Sequence, residues 1–522
     1  MNVHDLAQQL VSSLQNPVEL IETHISWVFL TDRFAYKLKK PVRFGFLDFS
    51  TKELRRQACE NEVKLNGRLA PGVYLGVVPI VKAAHNELAI GGKGIPVDWV
   101  VKMKRLPANA ALDVLIREGR IGAPEIEQLA ETLSAFYVNL PPVMVTVEDF
   151  RRSIERHVTA NRIELASDDH HLDKTEIRRV YEAQLRVLKL APELLDDRVC
   201  NGRIVEGHGD LRPEHIYFTP SPVIIDCIEF SQEFRTLDVA DELAFLSMEC
   251  DMLGTTDITR PIFERYAEQS GDHPARQLIN FYRLYRACVR AKVCALRAQQ
   301  LNGEARSSWL VSANKYLELA DRYTHTLGPP MLVLVRGLSG TGKSTIAETI
   351  SEELDVALIQ TDVLRQEVFG KTAERIGFNE GRFRPENRQR VYGEMHRQAD
   401  RLLGNGLSVV LDGTYLTASS RADAARLAER NHAAFLSVHC ECPDELALQR
   451  IADRALEGNT TSQARPEFFD RQRRAEEDDT PAFSALCVDT SNGIVEPMRN
   501  IVQSLRTKCF AGPRTVTTST TL

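Results

Sequence analysis

Gly337-Leu-Ser-Gly-Thr-Gly-Lys-Ser344 sets three glycines, a lysine and a serine at the spacing G-x-x-x-x-G-K-S. The chemistry open to such a loop is narrow. Its glycines let backbone N–H groups turn inward around phosphates, and the helix behind points its positive dipole end at them. Gly337, Ser339, Gly340, Thr341 and Gly342 supply the cradle, and Thr345 opens the helix. Lys343 reaches the β and γ phosphates, and the Ser344 hydroxyl holds Mg²⁺. The implied ligand is a nucleoside triphosphate, ATP with Mg²⁺. Two further carboxylates have the placement to join it. Asp412 closes the apolar run Ser408-Val-Val-Leu, where a strand-end carboxylate holds Mg²⁺ through its water shell. Asp362 closes Ala357-Leu-Ile-Gln-Thr, with Arg365 one helical turn on, and in open α/β sheets ligands gather at such strand ends.

The elements that position these residues alternate strand and helix from Met331 onward, the pattern of a doubly wound parallel sheet. Further strands are expected at Phe435–Val438 and Leu486–Asp489, with a helix over Asp444–Arg454. Leu327-Gly-Pro-Pro330 breaks the chain ahead of them, so the second domain is assigned to 331–508, after a linker at 327–330. The D-x-x-R of Asp362 and Arg365 resembles that of small-molecule P-loop kinases of the gluconate and shikimate kinase type, and of related polynucleotide-kinase, AAA and zeta-toxin-like proteins. The resemblance implies that Asp362 takes the proton of an acceptor hydroxyl and Arg365 holds a substrate anion or phosphate. An N-cap role for Asp362 or Thr361 is compatible with it. Arg450 and Arg454, four apart on one helix face, lead into the polar stretch Glu457–Arg465. In the resembling families this is a lid, with Arg450 at the nucleotide and Arg454 on the charge in transit.

Bulk composition bounds the rest. The 522 residues, 43% hydrophobic and 26% charged, suffice for two or three cores. A net charge of -7 recruits neither nucleic acid nor an anionic membrane globally. Met1 to Leu10 carries His4 and Asp5 and no apolar core, and no run reaches the length of a membrane span, so a cytoplasmic protein is expected. Ten scattered cysteines suit reduced thiols. Cys440-Glu-Cys442 beside His439 ends an apolar run and is read as strand rather than as metal ligands. Residues 509–522, rich in Thr and Ser, read as a flexible tail.

Before the linker the pattern changes. Ile25–Leu30 and Phe34–Leu38 form a hairpin across Thr31-Asp-Arg33, with Lys37 inside the second strand. A helix over about 52–69 carries Glu60 and Glu62, and strands follow at 73–81, 87–90 and 99–103. Helices then run at 110–120, 124–140, 147–165 and 174–190, and again from Asp238 to Gln300. Between these blocks stand His208-Gly-Asp-Leu-Arg-Pro-Glu-His-Ile216 and Val223-Ile-Ile-Asp226. These resemble the H-G-D-L catalytic loop and strand-end I-D of aminoglycoside phosphotransferases, which share the protein-kinase fold. The resemblance covers about residues 20 to 300 and implies a bilobal domain over 1–326, with a small lobe at about 20–106 and a large lobe at about 107–326. It makes Asp210 the residue that orients or deprotonates the acceptor hydroxyl and Asp226 a Mg²⁺ ligand. Lys37 becomes the phosphate clamp and Glu62 its helix partner, with Glu60 as substitute, while Asp238 and Asp241 brace the catalytic loop. His215 occupies a second metal position where the kinase pattern has asparagine, and imidazole is a poor substitute there for Mg²⁺. No glycine-rich loop lies in the first hairpin. The eleven acidic residues between Glu229 and Asp272 are read as solvated helix faces.

The fold class is therefore α/β and α+β in two domains: a protein-kinase-like bilobal domain, then a P-loop NTPase sheet. The function so implied is an ATP-dependent kinase with two modules, moving a γ-phosphoryl group to a hydroxyl of a small molecule, without a membrane partner. Two alternatives stay open. One is a nucleotide-gated regulator with a degenerate kinase-like sensor. The other is a kinase of polynucleotide 5′-hydroxyls, for which the Arg-rich segment 382–401 is the candidate groove.

Overall fold

The computed structural model describes residues 10, 18–45, 47–82, 88–255, 258–370, 377, 379–457, 465–477 and 485–510, without the side chains of 455–457. The start of the chain, most of the lid stretch and residues 511–522 of the expected tail lie outside the described residues. Contacts divide the chain into Met1–Phe150 with Leu195–Ala287, and Arg151–Leu194 with Cys288–Leu522. The division does not fall at 327–330.

The first unit is built on a six-stranded antiparallel sheet: β1 (Glu19–Glu22), β2 (Ser26–Leu30), β3 (Phe34–Lys39), β4 (Tyr74–Lys82), β5 (Leu88–Ile90) and β6 (Ile95–Lys104), in the order β1-β2-β3-β6-β4-β5. The β2–β3 turn is closed by Thr31, whose N–H and hydroxyl both donate to the Phe34 carbonyl at 2.9 Å. Helix Lys52–Asn66 starts at Thr51, whose side chain caps Leu54 N–H, and it buries Ala58, Cys59 and Glu62. A second core gathers Leu112, Leu133, Val205, Leu211, Leu243 and Tyr266 beneath two small antiparallel pairs. These are β7 (Ile204–Glu206) with β10 (Thr236–Asp238), and β8 (Ile216–Phe218) with β9 (Pro222–Ile224). The pairs suspend the loops that carry Asp210 and Asp226.

The second unit holds a five-stranded parallel sheet: β11 (Met331–Arg336), β12 (Ala357–Gln360), β13 (Val409–Asp412), β14 (Ala434–Glu441) and β15 (Leu486–Asp489), in the order β12-β13-β11-β14-β15. Its central strands are apolar on both faces, as a sheet covered on both sides requires. One face packs Val333, Val335 and Val438 on helices Lys343–Leu354 and Val495–Phe510; the other packs Leu332, Leu334 and Leu411 on helices Pro385–Gly404 and Ala418–Arg430. Helix Lys174–Leu190 belongs to this unit too. Its Glu182 accepts from Ser408 N–H at 2.8 Å, and Arg178, Nη2 to Oδ1 at 3.0 Å, and Arg162, Nη1 to Oδ2 at 2.6 Å, both hold Asp355. Leu190 enters the core under β11.

Two of the boundaries that differ from expectation lie in the second sheet. Strand β12 ends at Gln360, so Asp362 lies in the first turn of helix Thr361–Phe369 rather than at the strand end. A carboxylate is favoured there by the helix dipole. Strand β14 runs through Cys440 and Glu441, three residues past the expected end at Val438, because β15 pairs with it from Val438 to Glu441.

Candidate functional site

Order reversal in the second sheet sets the first candidate site. β11 lies between β13 and β14, and the crevice at its carboxyl end is where open α/β sheets take ligands. Gly337–Gly342 turns out of that end, and Lys343 begins the helix. Gly340, at φ +82°, approaches so closely that a Cβ would stand 2.4 Å from the Ala447 carbonyl. The loop is braced from three sides. Ser339 N–H donates to Gln472 Oε1 at 2.9 Å, Thr341 Oγ1 donates to the Leu338 carbonyl at 2.9 Å, and Thr490 Oγ1 donates to the Thr341 carbonyl at 2.9 Å. Arg450 grips Thr490 through its carbonyl at 2.9 Å and its hydroxyl at 3.2 Å. Arg454 lies one turn further along that helix, half-buried, and Thr345 faces solvent.

Asp412 ends β13 beside the loop and is buried. Burial pushes its carboxyl up, against the pull of Lys343 and the Ser344 hydroxyl. One oxygen accepts from Gln360 Nε2 at 3.2 Å, while Oδ1 has no hydrogen-bond partner. A buried carboxylate oxygen left without a donor, next to a serine hydroxyl, fits a hard divalent cation. Asp362 is close enough to Asp412 to raise it further, and it accepts from Arg365 Nη1 at 2.5 Å. Asp362 and Arg365 thus stand together beside the loop.

The second candidate site lies in the first unit. Lys37, on β3, reaches Glu62 at 2.9 Å and Asp226 at 2.5 Å. Glu62 is the helix partner; Glu60 instead pairs with Arg56 at 2.9 Å on the exposed face. Asp226 holds a left-handed backbone, φ +65°, and its N–H donates to the Tyr74 hydroxyl at 3.2 Å. Partial burial raises its carboxyl, but Lys37 and then His215 outweigh that and hold it well below the usual carboxylate range. Asp210 is paired with Arg212 Nε at 3.1 Å. His215 Nδ1 sits 2.9 Å from the Asp210 carbonyl and Nε2 3.0 Å from Arg212 Nη2, with Asp226 Oδ2 at 3.6 Å. Both ring nitrogens are engaged, so His215 does not fit as a ligand for Mg²⁺, whereas Asp226 does.

Two expectations fail against the structure. Asp238 and Asp241 do not brace the His208–Asp210 loop: Asp238 takes Arg198 at 2.8 Å and the Tyr282 hydroxyl at 3.0 Å, and Asp241 takes Arg286 at 2.6 Å. The brace is Glu242, which accepts from His208 N–H at 2.5 Å, Gly209 N–H at 2.8 Å and the Tyr137 hydroxyl at 3.0 Å. It is one position away on a helix, which turns the side chain by about 100°. Nor is the acidic segment simply a set of solvated faces, since Glu229, Asp238, Asp241, Glu242, Glu249 and Asp272 are buried. Arg198, Arg286 and Lys39, all from outside the segment, supply partners for four of them. Lastly, Lys39 is as deeply engaged as Lys37. It is fully buried and pairs with both Glu62 and Glu229. Its position two residues from Lys37 on a strand, hence on the same face, is the signal that finds it. Arg212 and Gln472 carry no comparable sequence signal.

A family model described as an AAA domain matches residues 332–477. Uncharacterized proteins of Mycobacterium tuberculosis (Rv2004c) and Mycobacterium bovis (Mb2027c) are each 34% identical over 450 residues, spanning 84% of this chain and 86% of theirs. Among solved structures, a choline/ethanolamine kinase family protein from Mesorhizobium loti is 12% identical, covering 63% of this chain and 99% of its own at a TM-score of 0.39. A gluconokinase from Sinorhizobium meliloti is 19% identical, covering 34% of this chain and 91% of its own at a TM-score of 0.25. Likenesses of that size do not bear on the chemistry. The identity and coverage of the mycobacterial relatives do settle kinship: the chain belongs to the family of those proteins, and its residues 332–477 carry the AAA domain match.

Proposed function

We propose that the protein is an ATP- and Mg²⁺-dependent phosphotransferase that moves a γ-phosphoryl group to a hydroxyl of a small molecule at the P-loop site. The observation that carries this reading is the placement of Asp362, already paired with Arg365, beside the buried and half-satisfied Asp412. A nucleotide-binding switch needs the loop and Asp412; an added carboxylate at the open end of the phosphates is what a hydroxyl acceptor needs.

In that reading the loop amides and Lys343 hold the triphosphate in line, and Arg450, through Thr490, keeps the loop in shape. Asp362 orients the acceptor hydroxyl and takes its proton as the new O–P bond forms, while the bond between the γ-phosphorus and the β–γ bridging oxygen breaks and ADP leaves. Arg454 comes to the charge in transit. Mg²⁺, which Ser344 and Asp412 would hold, would supply charge neutralisation on the phosphates. Positioning and electrostatics do most of the work in such transfers.

The first unit is proposed as a second nucleotide site, with Lys37 as clamp, Asp226 as cation ligand and Asp210 as base. A regulatory reading has its own supporting observation: His215 is engaged through both ring nitrogens and Asp210 is paired with Arg212, so this unit would sense nucleotide without turning it over. Transfer from γ-labelled ATP to polyols, sugar acids, aminoglycosides and 5′-hydroxyl oligonucleotides tests all three. Wild type should label a small hydroxylated acceptor, and Lys343→Ala and Asp362→Asn should each lower that transfer by about 10²-fold or more. Loss of a different labelled product in Asp210→Asn would make the first unit a kinase. If Asp362→Asn transfers at the wild-type rate, the proposed base is wrong.

A further inference from the structure

Strand alternation divides the run His439-Cys-Glu-Cys442 between the two faces of the second sheet. Cys440 enters the core beneath helices Lys343–Leu354 and Val495–Phe510. His439 and Glu441, one residue to either side of it, stand on the opposite face. Edge strand β15 brings Cys487 to the same place, because its register makes Cys487 the partner of His439. Among the described residues, His439, Glu441 and Cys487 form a group whose ligand atoms all lie within 4.8 Å of one another. The imidazole is caught between two carboxylates: Nδ1 is 3.2 Å from Glu441 Oε1, and Nε2 is 3.2 Å from Glu476 Oε1. A neutral imidazole has one N–H and serves only one of them, so its other nitrogen sets a lone pair against a carboxylate oxygen. Glu476 is the better buried, with its side chain 17% exposed against 54% for Glu441, and it also faces the buried Arg336 Nη1 at 3.8 Å. Nε2 therefore keeps the proton for Glu476, and Nδ1 is left with its lone pair towards Glu441.

We infer that His439 Nδ1, Glu441 and Cys487 form a binding site for a divalent cation of borderline softness, Zn²⁺ or its like, with Glu476 orienting the imidazole from behind. A cation removes the repulsion at Nδ1. Its two charges balance the Glu441 carboxylate and a Cys487 thiolate, while Glu476 balances Arg336. One imidazole, one thiolate and one carboxylate make a set that zinc accepts, whereas Mg²⁺ prefers oxygen alone. A carboxylate on the far nitrogen of a ligating histidine fixes the ring and raises its basicity. Tetrahedral zinc sets its ligand atoms roughly 3.3–3.6 Å apart. His439 and Glu441 are already close to that spacing, and the exposed side chains of Glu441 and Cys487 close the rest by turning about χ1. Water completes the fourth position. The bound cation would tie the four-residue edge strand β15 to β14 through side chains as well as backbone. Thr490, the residue after β15, donates to the Thr341 carbonyl of the phosphate loop, so what steadies β15 also steadies that loop.

Metal uptake tests the site without recourse to phosphoryl transfer. Full-length protein, reduced and stripped of metal with a chelator, is titrated with Zn²⁺ and separately with Co²⁺, in excess Mg²⁺ so that the cation position at the phosphate loop is taken. Expected is one Zn²⁺ per chain with a Kd of about 1 μM or tighter. The Co²⁺ form should show the visible bands of a four-coordinate centre and the charge-transfer band of a bound thiolate. Glu441→Gln and Cys487→Ser, both at exposed positions, should each weaken Zn²⁺ binding at least about tenfold, and Cys487→Ser should erase the charge-transfer band. Cys200→Ser removes an exposed thiol in the other unit and should change neither. Hydrogen exchange at the amides of Leu486–Thr490 should slow with Zn²⁺ in the wild type and not in Cys487→Ser. No uptake in excess Mg²⁺, or a Co²⁺ spectrum without a thiolate band, overturns the site. So does undiminished uptake in Cys487→Ser, which would leave an adventitious ion only, and so does exchange at Leu486–Thr490 that Zn²⁺ leaves unchanged in the wild type.

Discussion

Single residues carry the electrostatics of the first unit. Lys39 is buried between Glu62 and Glu229, and removing it strands the buried Glu229 and leaves Glu62 to Lys37 alone. Lys39→Met should therefore cost about 3–5 kcal/mol, read by chemical denaturation, even though methionine fills a similar volume. His208 makes a pH prediction. Burial, and then the neighbouring His215, push its imidazole down to about 4. The neutral ring uses both nitrogens: Nε2 donates to the Ile225 carbonyl at 2.9 Å, and Nδ1 accepts from Asp210 N–H at 3.3 Å. Protonation would set an N–H against an N–H. The folded state thus binds fewer protons than the unfolded one between about pH 4 and the ordinary imidazole value of 6.5, and stability rises with pH in that window. His208 contributes fully above about pH 6.5 and loses on the order of 2 kcal/mol by pH 5, which unfolding midpoints at the two pH values will show. His208→Gln should flatten that slope.

At the scale of elements, the phosphate loop is held by what packs behind it. Gly340 combines φ +82° with the Ala447 carbonyl 2.4 Å from any added Cβ, so Gly340→Ala must shift either the loop or the start of helix Asp444–Glu457. It is expected to lower nucleotide affinity at least tenfold and stability by roughly 1–3 kcal/mol, measured by calorimetric titration and melting. Gly393, inside helix Pro385–Gly404 with open space around it, is the contrasting case. Gly393→Ala should stabilise by about 0.5–1 kcal/mol and leave nucleotide binding unchanged. The difference between the two is one of surroundings, since the local sequence change is the same.

For the molecule as a whole, the two constellations proposed to handle phosphate lie in separate units. Nucleotide stoichiometry measures this directly. The wild type should bind two ATP analogues per chain, Lys343→Ala one, and Lys343→Ala combined with Lys37→Met none. A stoichiometry of one for the wild type, abolished by Lys343→Ala, would leave the first unit without a nucleotide role. Helix Lys174–Leu190 shows why whole-chain arrangement escapes pattern reading. Its periodicity reveals a helix over those residues, yet its contacts with Ser408, Asp355 and the core under β11 place it with the sheet of the second unit, more than a hundred residues downstream.

The sequence by itself determined what depends on neighbours along the chain. The phosphate loop, Asp412 closing its strand, Lys37 on a strand face and Glu62 on a helix face all follow from periods of 2 and 3.6 residues and from the turn chemistry of glycine. Only the tertiary structure decided which charges meet. That Glu242 rather than Asp238 holds the His208–Asp210 loop and that Lys39 shares Glu62 with Lys37 depend on side chains from distant segments. Coulomb and desolvation energies act through space, and spacing along the chain does not encode them.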